Sequence, residues 1–165
     1  MANFVVNKSI DNVIDGVAFY LKKFTKCPII RGNANRAAMP QAPFIVLTEI
    51  LTSAVTKPIE IYGDKTVTVS EQTQIDVQVD FYGWDLSDTA IAVKASIRTV
   101  WSTDNFPPWL IPLYCGDIVK TPLTNGEEQY EQRWFFTLSL QYNPVMTLPQ
   151  LSFNVVGDIN SNPIF

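Results

Sequence analysis

Gln74-Ile75-Asp76-Val77-Gln78-Val79-Asp80-Phe81-Tyr82, closed by Gly83, alternates polar and apolar residues at period two. That is how a half-buried strand reads, because successive side chains of a strand point to opposite faces. Ile75, Val77, Val79 and Phe81 therefore share one face, and Gln74, Asp76, Gln78 and Asp80 share the other. Far along the chain, Arg133-Trp134-Phe135-Phe136-Thr137-Leu138-Ser139-Leu140-Gln141-Tyr142 repeats the pattern. The two runs are expected to lie in one sheet. Its apolar face packs under helices, and Gln74, Asp76, Gln78, Asp80, Ser139 and Gln141 form a polar face turned outward.

Working outward, Ser9 suits a helix N-cap, and Ile10, Val13, Ile14, Val17, Leu21 and Phe24 follow at helical spacing. Gly16 weakens this helix slightly, and Lys22, Lys23 and Lys26 sit near its C-terminus, where cations suit the helix dipole. Phe44 to Leu51 reads as a strand. Ile59–Tyr62 and Thr66–Val69 flank Gly63-Asp64-Lys65, a hairpin signal. After Gly83 the period changes to near 3.6, which predicts a helix capped by Asp85 or Ser87 and running to about Trp101, with Ala90, Val93, Ile97, Val100 and Trp101 on its apolar face. Residues 102–129 are too many for one bare loop. One short strand is expected around Leu110–Cys115, and the remainder as an arm or packed loop, with Phe106, Trp109 and Leu110 as candidates for an inter-subunit arm and the aromatics Trp101, Phe106, Trp109 and Tyr114 suited to core or subunit packing. Asn125-Gly126 marks a turn, Gln150–Val156 reads as a last short strand, and residues 157–165 as an irregular tail. The sum is one α+β domain over residues 1–165: a mostly antiparallel sheet of about six strands with two main helices packed on one face.

At 165 residues the chain buries roughly 70% of its unfolded surface, enough for a core without staples. The net charge of −4 argues against general nucleic-acid binding. Its distribution is uneven. Residues 1–36 carry Lys8, Lys22, Lys23, Lys26, Arg31 and Arg36 against two acids, a net of +4, and residues 37–165 carry six bases and fourteen acids, a net of −8. Such a distribution is either ordinary solvated surface or a basic interface of Lys22, Lys23, Lys26, Arg31 and Arg36, and copies with one basic and one acidic region attract one another head to tail. Cys27 and Cys115 match neither a disulfide framework nor a metal-ligand spacing. No secretory signal and no membrane span is expected.

The chain has no histidine, which excludes Ser-His and Cys-His nucleophilic schemes. No glycine-rich phosphate loop occurs. Asp76 and Asp80 share a strand face, but at ~3.3 Å per residue their Cα atoms stand ~13 Å apart, beyond the roughly 5–9.5 Å of a glycosidase pair. No catalytic residue, metal or cofactor is expected. Trp101, Trp109 and Tyr114 could instead line a ligand or glycan platform.

Gln78-Val79-Asp80-Phe81-Tyr82-Gly83 followed by a helix, and Glu131-Gln132-Arg133-Trp134 running into Leu138-Ser139-Leu140-Gln141-Tyr142-Asn143, resemble the phage tail and neck terminator proteins. The early helix, the Pro43-Phe44-Ile45 strand entry and the hairpin come in the matching order, so the resemblance spans about residues 5–156. It implies a tail-terminator-like α+β fold and a structural virion protein, not an enzyme. The expected assembly is a homo-hexameric ring at the neck, put together in the host cytoplasm. Its expected partners are the tail tube, with sheath proteins as further candidates, and the head-completion proteins, with DNA passing the lumen. The polar strand face would then look toward the lumen or an interface. A head–tail connector or a tail-tube subunit is the alternative within the same class.

Overall fold

The computed structural model describes residues 5–32, 40–124 and 130–149. In chain order the elements are β1 (Val5–Val6), α1 (Ile10–Leu21), β2 (Ile29–Arg31), β3 (Phe44–Ala54), β4 (Ile59–Tyr62), β5 (Thr66–Ser70) and β6 (Thr73–Tyr82). A 3-10 turn (Trp84–Leu86) leads into α2 (Ser87–Ser96), α3 (Val100–Asn105), β7 (Leu110–Cys115), β8 (Val119–Thr124), β9 (Tyr130–Tyr142) and β10 (Val145–Pro149). This is an α+β fold. The six-stranded sheet has the order β2-β3-β6-β9-β7, with β8 also on β9. It is antiparallel except where β2 joins β3.

The two alternating runs are neighbours, as the sequence predicts. β6 and β9 pair from Thr73↔Tyr142 to Tyr82↔Arg133 without a register shift. Period two then puts Ile75, Val77, Val79 and Phe81 on the same face as Phe136, Leu138 and Leu140, all buried. The helices cover that face: Val13, Val17, Tyr20 and Leu21 of α1 and Ala90, Val93 and Ile97 beside α2 complete the core.

α1 starts where Ser9 and Asn12 form a reciprocal capping box, each satisfying an orphan backbone donor. Tyr20, absent from the predicted stripe, is fully buried, stacks on Phe106 with ring centroids 4.1 Å apart, and shares a 2.6 Å hydrogen bond with the Ser96 hydroxyl. Gly16 does more than weaken the helix. A Cβ there would stand 2.7 Å from Leu110 Cδ2, so its bare backbone lets the chain entering β7 cross α1. Gly83, at φ 118°, makes the turn out of β6, a conformation that side chains disfavour.

Three expectations need correction. The helix predicted to run to Trp101 is two helices. Thr99 is extended, donates to the Ser96 carbonyl and accepts from the Ser102 amide, a local competition that breaks the helix. Neither Asp85 nor Ser87 is its N-cap, a place taken by Leu86 after the 3-10 turn. Residues 102–124 are not an arm: they hold the end of α3, β7 and β8, the last two lying along β9. Phe106 and Leu110, 4% and 2% exposed, belong to this subunit's own core, so they are not free to reach a neighbour. Asn125-Gly126, Gln150–Val156 and the tail 157–165 lie outside the described residues.

A second sheet, β1-β10-β5-β4, has no counterpart in the sequence reading beyond its β4–β5 hairpin. β3 leads into β4 and β5 into β6, so the chain from Phe44 to Tyr82 is one long hairpin whose outer half leaves the core. Phe106→Ala is expected to destabilise the fold by about 3–5 kcal/mol through the cavity left beside Tyr20, as read from the urea midpoint.

Candidate assembly surfaces and the helix-free sheet face

The helix-free face of the six-stranded sheet carries Gln74, Asp76 and Gln78 on β6, with Gln141, Ser139 and Thr137 as their register partners on β9. All six are partly exposed. The Gln74 amide donates to Asp76 at 3.1 Å. Asp80 lies on the same face but is only 3% exposed. Arg133 donates to its Oδ1 from Nε at 2.9 Å and from Nη2 at 2.7 Å, and Gln78 donates to both oxygens. The polar stripe is thus open from Gln74 to Gln78 and closed at Asp80, and Asp76 forms no salt bridge among the described residues.

Arg133 is also the register partner of Tyr82, which pairs in turn with Phe44. The Phe44 and Tyr82 rings stack 4.6 Å apart, and the Arg133 guanidinium lies 5.1 Å from the Phe135 ring centroid and 5.9 Å from that of Tyr82. Such contacts favour a cation that is partly withdrawn from water. This row across three strands went unread in the sequence. Its signal was a lone arginine at the head of an apolar strand, which only the register connects to Asp80.

The basic candidates separate. Lys22, Lys23 and Lys26 are exposed at the end of α1, with Lys23 Nζ 4.7 Å from the Phe19 ring centroid. Arg31 stands apart, held by Asp15 at 2.7 Å and Asp11 at 2.6 Å. The hydrogen bond it donates to Asp15 leads the effects that raise its pKa. These aspartates are the two acids of residues 1–36, so the charge imbalance there concentrates on the three lysines. Arg36 lies outside the described residues.

Trp109 packs partly against the core, beneath Lys8 Nζ at 4.8 Å. Trp101 sits in the helix layer beside Tyr20 and Phe24, whereas Tyr114 pairs with Ser139 and so belongs with the opposite face. The three aromatics do not form one platform. Among the described residues, no group of three or more His, Cys, Asp or Glu could hold a metal ion, and no helix is long and apolar enough to cross a membrane.

A family model described as phage neck terminator protein matches residues 7–163. The chain belongs to the phage neck terminator family. No curated protein matches it. Membership gives this terminator a structural role in the neck of the virion. The two motifs that carry the resemblance are register partners, Phe81 opposite Trp134 and Tyr82 opposite Arg133, so they form a single locus in the fold. They are joined further by the Gly83 amide donating to the Gln132 carbonyl at 3.0 Å.

Two outcomes follow from this geometry. Asp80→Ala strands Arg133 without its partner and is expected to cost about 2–4 kcal/mol, whereas Asp80→Leu with Arg133→Met recovers most of the loss; urea midpoints of the single and double variants check both. Burial pushes the Cys115 thiol up to about 12, so at pH 8 it stays protonated and unreactive. Iodoacetamide is expected to label half-buried Cys27 first and Cys115 only on unfolding, read by peptide mass.

Proposed function

We propose that this terminator assembles as a ring of six copies that closes the tail tube and offers a surface to the head-completion proteins. The helix-free face of the six-stranded sheet lines the lumen through which DNA passes. One observation carries the lumen reading. Arg133 is the single cationic residue of β6 and β9, and Asp80 neutralises it. Retaining duplex DNA takes cationic contacts to phosphates. A face of Gln74, Asp76, Gln78, Thr137, Ser139 and Gln141 lets DNA slide without holding it.

Assembly is tested by negative-stain imaging and solution mass of the purified protein, alone and with tail tubes. Single rings that cap tube ends are the expected outcome. Long tubes from the protein alone would favour a tube subunit, and a monomer under every condition would defeat the ring. Assembled rings are also expected to retain no duplex DNA at physiological salt. Salt-sensitive retention would overturn the lumen assignment.

A further inference from the structure

We propose that the projecting ribbon built on β4 and β5 is the assembly arm, and that it docks on the α1–α3 end of a second copy of this chain. The inference rests on the ring assembly proposed above and names its interface.

The ribbon lacks a core of its own. No residue of β4, β5 or β10 is buried, whereas a small sheet in water needs a packed apolar face. Ile59, Ile61 and Tyr62 are 64%, 65% and 66% exposed, and Ile50, Leu51 and Val55 at its root are at least half exposed. Ile59 and Ile61, two residues apart, share one face of β4, and Tyr62 lies on the other. Lys57 and Pro58 lead into edge strand β4, and both discourage edge-to-edge strand pairing. Docking therefore uses a face of the ribbon.

The complementary patch is on the same chain. Phe19, Val100 and Trp101 are 55%, 77% and 47% exposed around the end of α1 and the start of α3. From Phe19 to Lys26 the chain carries three lysines and no acid. From Val55 to Gln72, the ribbon carries Glu60, Asp64 and Glu71 against Lys57 and Lys65, a net of −1. An apolar ribbon bearing three carboxylates and a basic apolar helix end match in character, with opposite net charge.

The ribbon and the C-terminal end of α1 also lead into opposite ends of β3. The ribbon leaves the six-stranded sheet at Ala54↔Thr73. The α1 end leads through Lys26 into β2, whose Ile29 pairs with Ile45 near the other end of β3. Each copy thus offers a ribbon at one end and a receptor at the other, the heterologous arrangement that a closed ring needs.

The test uses two full-length variants, each blind on one side. Ile59→Asp with Ile61→Asp spoils the ribbon and leaves the helix end intact. Lys22→Glu with Lys23→Glu does the reverse. All four side chains are exposed, so circular dichroism should match the wild type. Under conditions where the wild type forms rings, each variant alone is expected to stay monomeric, and an equal mixture to form a dimer and nothing larger, read by native mass spectrometry. Adding Glu60→Lys and Asp64→Lys to the lysine variant should restore assembly. Rings from either variant alone, or a mixture that stays monomeric, would overturn this interface while the ring itself stands. A wild type that never leaves the monomer would defeat the ring reading, and this one with it.

Discussion

The register of β6 against β9 is the constraint on which the rest of the molecule depends. A strand's two faces exchange roles when its pairing slips by one residue. Here such a slip would drive Asp80 and Gln78 beneath the helices and turn Val77 and Val79 out to water. The Asp80–Arg133 pair resists it, because the aspartate meets the arginine diagonally across two strands in one alignment only. Beside it, the Gly83 amide bonds the Gln132 carbonyl. From that alignment follow the apolar platform that α1 and α2 cover and the polar surface left on the other side.

Charge in this molecule is organised by pairing as much as by count. Arg31 joins β2 to α1 through Asp11 and Asp15, and Lys94 reaches Asp117 at 2.7 Å, tying α2 to the segment between β7 and β8. The hydrogen bond from Lys94 holds the Asp117 carboxyl below its ordinary range. With those groups engaged, the three lysines at the end of α1 remain as a concentrated basic patch. The helix-free sheet face is closer to neutral than its two aspartates suggest, since one of them is closed off by Arg133.

Much of the fold was legible from pattern alone. The capping box at Ser9, the hairpin around Gly63-Asp64-Lys65 and the alternation of β6 and β9 are local signals, each set by residues within a turn or a few strand positions. Thr99 breaks a helix that periodicity alone would continue, through hydrogen bonds with Ser96 and Ser102. The other missed features are non-local. Proline-flanked β10 becomes a strand because β5 offers it an edge. Phe106 and Leu110 look like an arm in a proline-rich stretch until Gly16 lets that stretch lie against α1.

Within β6 and β9 the sequence by itself determined which residues share a face, because side-chain period and hydrophobicity are properties of the chain's own neighbours. It also settled the α+β class and the exclusion of histidine chemistry. Only the tertiary structure decided which charges are free, which aromatics meet and which hairpin leaves the core. Those depend on pairings between residues tens of positions apart, such as Asp80 with Arg133, and no local pattern encodes the partner.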